Sequence, residues 1–167
     1  MGVKIIDLKG LVILRCKFEY NEVLDDVYFM KLALEEARQA SRRNEVPVGA
    51  IVVSQQQVIG KGHNLTEHLT DVTAHAEMQA ITAASQYLGA KYLKDCTLYV
   101  TLEPCPMCAG ALQWSQISRV VFGASDPKRG AMSFKPTLFH PSTEIIGGIE
   151  KDACLHLLTS FFRDKRQ

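Results

Sequence analysis

The sequence predicts an α/β domain: one mixed sheet of about five strands with helices on both faces, a three-layer α/β/α arrangement. Three observations carry this. β-rich runs at residues 48–54 and 58–62 flank a short glutamine turn, as a hairpin does. Residues 97–102, 106–115 and 119–123 read as strand, short helix, strand, which predicts a right-handed parallel crossover. Helical apolar periodicity recurs before, between and after these runs. A length of 167 residues suits one domain, and 47% hydrophobic with 22% charged residues is an ordinary globular composition.

Taken in order, the first helix starts at Asp25 or Asp26, either a good N-cap. It runs to about Arg43 with Val27, Met30, Leu34 and Ala37 on its apolar face. After the hairpin, residues 73–88 predict a second helix with Thr73 as cap and Gly89 as stop. Its predicted buried face is Ala76, Ala80, Ala83, Ala84 and Tyr87. Pro106 opens the third helix, where a missing N–H costs nothing. Residues 144–149 predict an edge strand, and Ala153, Leu157, Leu158, Phe161 and Phe162 give a closing helix its apolar face. Residues 1–22 precede the first strong pattern and form a separate appendage: a short strand, a disordered arm or an artificial addition. The domain proper is 23–167.

Charge and cysteine content narrow the function. Nineteen basic against eighteen acidic residues leave a net charge of +1, so a polyanion would have to be held by a local basic patch. No apolar run approaches the ~18 residues of a membrane span. Five cysteines, an odd number with no signal-like N-terminus, argue against a disulfide framework and predict a cytoplasmic protein with reduced thiols. Cys16, Cys96 and Cys154 read as buried apolar residues.

Two segments carry chemistry: Thr73-Ala74-His75-Ala76-Glu77 and Glu103-Pro104-Cys105-Pro106-Met107-Cys108. Cys105 and Cys108 are three apart at a helix start, so both sulfurs face one way, and the helix dipole favours thiolates there. Alone, such a pair fits a redox couple, half a structural zinc site or coincidence. His75 and Glu77 are two apart, which turns side chains about 200° from each other inside a helix. They share a site only at a helix end, in an open first turn capped by Thr73. One imidazole and two thiolates favour zinc, and three protein ligands leave a fourth position for water, as in catalytic sites. Glu77 suits a proton shuttle better than a structural site.

Other features are weaker. Gly60-Lys61-Gly62 lacks the rest of a dinucleotide fingerprint and reads as a strand kink. Trp114 and Met107 fit core or interface packing. His63 and His68 read as solvated or substrate-facing, and Asn64 as a turn residue or a polar group aimed at a ligand.

The pair H-x-E and P-C-x-x-C is the signature of zinc nucleoside and nucleobase deaminases. The likeness extends to Val46-Pro47-Val48-Gly49-Ala50, Gly62-His63-Asn64, Val120-Val121-Phe122-Gly123-Ala124 and Phe161-Phe162-Arg163. Over roughly residues 24–167 the chain resembles the bacterial tRNA-specific adenosine deaminases. The resemblance implies a cytidine-deaminase-like fold, a homodimer, one Zn2+ per chain, and conversion of adenosine to inosine at the wobble position of a tRNA anticodon loop. It implies His75, Cys105 and Cys108 as zinc ligands and Glu77 as general acid/base. It makes Asn64 a hydrogen-bond partner of the flipped base, with Val48 and the backbone around Ala76 and Pro104 lining the base pocket. Lys128, Arg129, Lys135, Arg163, Lys165 and Arg166 are candidate phosphate contacts. Two departures stand out: residues 1–22 have no counterpart, and residues 131–149 are shorter than usual. The Pro-Cys-Pro-Met-Cys run with Trp114 also resembles guanine deaminases, so a free-base deaminase acting on guanine or cytosine is the alternative.

Overall fold

The computed structural model describes residues 24–166; the expected appendage, residues 1–22, lies outside them. Helix α1 is Asp26–Arg42, β1 Gly49–Ser54, β2 Gln57–His63 and α2 Ala76–Leu88. Then come β3 Cys96–Leu102, α3 Pro106–Ser115, β4 Arg119–Ala124, β5 Glu144–Gly147 and α4 Lys151–Asp164. No helix among the described residues is long and apolar enough to cross a membrane.

The strands form one five-stranded mixed sheet in the order β2-β1-β3-β4-β5. β1 pairs antiparallel with β2 and β3, whereas β3, β4 and β5 run parallel. The β3–α3–β4 crossover is therefore parallel, as the sequence predicts, and β5 is an edge. Alternation along each strand splits the core in two. Ala50, Val52, Leu98, Val100 and Val120 meet α2 and α3, while Ile51, Val53, Tyr99 and Val121 meet α1 and α4. This is the expected three-layer α/β/α architecture.

α1 starts where expected: Asp25 is its cap, accepting a 2.8 Å hydrogen bond from the Tyr28 N–H. The start of α2 differs from expectation. It begins at Ala76 with His75 as N-cap, not at Thr73. The N–H and hydroxyl of Thr73 both donate to Asp71 Oδ1, at 2.8 and 2.7 Å, which holds Thr73 in a turn outside the helix. The buried face of α2 is Ala76, Ala80 and Ala84, but Tyr87 is 59% exposed. Periodicity marks the inward stripe without saying how far along the helix the sheet covers it. Trp114, expected in a core or an interface, is 82% exposed in the chain. Gly60 and Gly62 do more than kink β2: they let α2 lie directly against the strand. Cys154 and Cys96 are buried as expected, whereas Cys16 is outside the described residues.

Arg119, at the start of β4, ties α1 to the neighbouring edge strand β5. Its Nη1 and Nη2 each donate to Asp26 at 2.7 Å, and its Nε donates to Glu144 at 3.0 Å. The guanidinium beside Asp26 holds that carboxyl below the usual 3.8, although partial burial pulls the other way.

Candidate metal and active site

Two helices aim their N-termini at one point. His75 caps α2 and Cys105 caps α3, both with extended backbone, and neither side chain is spent on capping its own helix. Cys108 sits in the first turn of α3 and is buried, so both sulfurs and the imidazole converge. His75 Nδ1 lies 3.7 Å from Cys105 Sγ and 3.5 Å from Cys108 Sγ. All three donor atoms lie within 4.8 Å of one another. Tetrahedral zinc, with Zn–S near 2.3 Å and Zn–N near 2.0 Å, separates sulfur from nitrogen by about 3.5 Å. The donor set and its spacing therefore fit the ion without rearrangement.

The pKa of Cys105 falls to about 4, chiefly because Cys108 hydrogen-bonds to its sulfur, with His75 adding to the effect. Cys108 is pushed up for the reciprocal reason. His75 is raised, first by its contact with Cys105. Glu77, in the first turn of α2 and 4% exposed, is raised by burial, while neighbouring His75 pulls it down.

Of these groups His75, Glu77 and Cys105 border a cavity of about 460 Å³, within the usual range for small-ligand sites. Val48, Asn64, His75, Ala76, Glu77, Cys105 and Arg129 are among its walls. Asn64 is thus a buried wall residue, 6% exposed, rather than a solvated turn. Pro104 is the exception among the expected wall residues. It is buried between lining neighbours Glu103 and Cys105, and its carbonyl accepts the Ala131 N–H at 2.9 Å. His63 is neither solvated nor part of the cavity wall: its Nδ1 lies 3.1 Å from Glu36 Oε2 and its Nε2 is buried without a partner. His68 is exposed.

Two carboxylates support these walls: Glu103, which the sequence reading names in its motif without a role, and Glu45, which it passes over. Glu103 is 7% exposed; its oxygens accept the N–H groups of Asp126 and Met132, each at 3.0 Å. It thereby holds the loop carrying Asp126 and Arg129 against the cavity. Glu45, 1% exposed, supports the opposite loop. Beside Arg42, Arg43 and Asn44 it has the composition of an exposed helix end, so no local signal set it apart. Of the candidate phosphate contacts, only Arg129 reaches the cavity. Lys165 borders adjoining grooves with Arg43, Phe161 and Phe162, and Arg166 lines another beside Phe162. Arg163 lies 3.7 Å from Asp164, and Lys128 is exposed.

Comparison with known proteins decides the family. The cytidine and deoxycytidylate deaminase zinc-binding region matches residues 24–124, and so spans His75, Glu77, Cys105 and Cys108. The chain belongs to this family. It is 44% identical over 144 residues to the tRNA-specific adenosine deaminase of Agrobacterium fabrum, covering 83% of this chain and 95% of that one. A solved structure from work on A-to-I editing by tRNA:A34 deaminases at the wobble position of transfer RNA matches with TM-score 0.74 and 43% identity. It covers 78% of this chain and 99% of that one. A guanine deaminase from Nitrosomonas europaea matches at TM-score 0.71 and 25% identity, over 83% and 85% of the two chains. Within the family the chain falls with the tRNA-specific adenosine deaminases, and it is a zinc-dependent hydrolytic enzyme with the cytidine-deaminase-like fold.

Proposed function

We propose that this deaminase converts adenosine to inosine at the wobble position of a tRNA anticodon loop. The observation that carries the reading is a buried carboxylate, Glu77, beside a His–Cys–Cys donor set on the wall of a base-sized cavity. His75, Cys105 and Cys108 hold zinc. When bound, zinc supplies a Lewis acid that makes water a nucleophile near neutral pH. Glu77 takes a proton from the water that attacks C6 and hands it to the ring nitrogen. It then carries a second proton to the departing amine, so adenosine and water become inosine and ammonia. Asn64, Val48, Ala76 and the backbone flanking Pro104 hold the base, which has to leave its stack to reach the cavity.

The route for RNA is drawn from the surroundings of the cavity. Arg129 borders it, and the adjoining grooves bring Arg43, Lys165 and Arg166 beside Phe161 and Phe162. With the exposed Lys128 and Arg163, these are the cations available for the local patch that a net charge of +1 requires. We place the domain at 23–167, with residues 1–22 as an appendage, supported by a family match that begins at residue 24. A homodimer and a cytoplasmic location belong to the same reading. The exposed Met107 and Trp114, on one face of α3, support an interface between two copies. Light scattering showing only monomers at micromolar concentration would overturn the dimer, and fractionation to a membrane would overturn the location.

The test is ammonia and inosine formation from an anticodon stem-loop RNA, run beside free adenine, guanine and cytosine. RNA turnover that weakens steeply with salt is expected, and replacing Arg163, Lys165 and Arg166 by Gln should flatten that salt dependence and raise KM. Rapid guanine turnover with no RNA binding would replace this substrate by a free base.

A further inference from the structure

Glu45 sits just past the end of α1, where its N–H donates to the Ala40 carbonyl at 3.0 Å and Asn44 before it adopts φ +63°. The backbone therefore fixes where its side chain starts. The carboxylate is buried and pairs with no basic side chain among the described residues. Four donors converge on it instead. Oε1 accepts the His68 N–H at 2.8 Å. Oε2 faces Asn64 Nδ2 at 3.1 Å, the Thr66 hydroxyl at 3.3 Å and the Glu67 N–H at 3.3 Å. Thr66 Oγ1 is also 3.2 Å from Asn64 Nδ2, so the hydroxyl bridges amide and carboxylate.

We propose that Glu45 is a positioning residue for the deamination: it orients the Asn64 amide and pins the 66–68 backbone, and so shapes one wall of the cavity. The inference deepens the proposed function and rests on it. Glu45 does not itself line the cavity, whereas Asn64 and Thr66 do. The two ends of an amide are alike in shape and opposite in chemistry. A carboxylate accepts and never donates, so it holds Nδ2 inward and forbids the flipped amide, which would set oxygen against oxygen. The Asn64 backbone is held as well, its N–H donating to the Val48 carbonyl at 3.0 Å. A side chain fixed at both ends meets the base without first being ordered, and that is the gain from preorganisation.

The test is a double-mutant cycle in the full chain, read as kcat/KM on an anticodon stem-loop RNA under single-turnover conditions. Glu45→Gln keeps the size but turns one N–H toward groups that already donate. It should lower kcat/KM about tenfold or more while zinc content stays at the wild-type value. In an Asn64→Ala background the same change should cost less than about threefold, because the group it acts through is gone. A merely structural role would cost the same factor in both backgrounds, and that result, or wild-type kcat/KM in Glu45→Gln, overturns the proposal. Thr66→Val removes only the bridging hydroxyl and serves if Glu45→Gln does not fold. A severalfold loss that vanishes in Asn64→Ala is expected, and no loss overturns the proposal. If wild-type protein releases no ammonia from RNA, the substrate reading fails by itself, and the same cycle is read on the base that wild type does deaminate.

Discussion

Substituting Gly62 by alanine tests how closely the catalytic helix must approach the sheet. Gly62 lies on β2, paired with Ala50, under the first turn of α2. A methyl group there would sit 2.4 Å from the Ala76 carbonyl oxygen, 2.6 Å from Gln79 Cβ and 2.7 Å from the Ala80 nitrogen. Two of these atoms are helix backbone, which cannot turn aside as a flexible side chain does. Ordinary contact begins near 3.4 Å, so the start of α2 would have to retreat by about 1 Å. Ala76 stands between His75 and Glu77, and the retreat carries both. The His75–sulfur separations of 3.5 and 3.7 Å would then open beyond what one zinc ion spans. Overpacking of this kind costs about 1–3 kcal/mol of stability, several degrees in Tm. A misplacement of about 1 Å at reacting groups costs on the order of 10²-fold in rate. Zinc content, thermal unfolding and single-turnover ammonia release would be measured together. Gly62→Ala with wild-type zinc affinity and rate would refute the argument that close packing sets the site.

Three further outcomes are expected. Glu77→Gln should keep fold and zinc but lose about 10²–10⁴ in turnover, since an amide cannot accept the proton; near-wild-type rate would make Glu77 structural. Asp26→Asn should cost about 1 kcal/mol at neutral pH, a modest value because the ion pair is partly open to solvent. The folded carboxyl lies below 3.8, so its contribution is complete above that pH and lost as pH falls through the folded value; urea unfolding of both proteins should converge in acid, and a pH-independent gap would contradict the charge argument. Deleting residues 1–22 should leave zinc binding and deamination intact, because the family match begins at residue 24; an insoluble or inactive product would place the segment in the core or between subunits.

What could be read from the amino-acid order was whatever depends on neighbours along the chain. β-rich runs marked five strands, period-3.6 stripes marked three helices, and Pro106 marked the start of the fourth, α3. His75, Glu77, Cys105 and Cys108 were legible because two adjacent helix starts each gather their chemistry within four residues. What depends on segments meeting across the fold was not legible. Asp71 took Thr73 out of α2 and left His75 as the cap, a choice between two local hydrogen bonds that propensity does not rank. His63 turned to Glu36 on α1, and Trp114 ended on the outside of α3. Glu45 and Glu103 were buried because returning loops present backbone N–H groups that need acceptors. In composition they are like any surface glutamate. Burial makes such an acceptor matter, since an unsatisfied donor inside a protein costs about 1–3 kcal/mol and in water almost nothing. The order of residues determined the ligands and the elements that present them. The tertiary structure decided which carboxylates face inward, and with them the walls of the cavity.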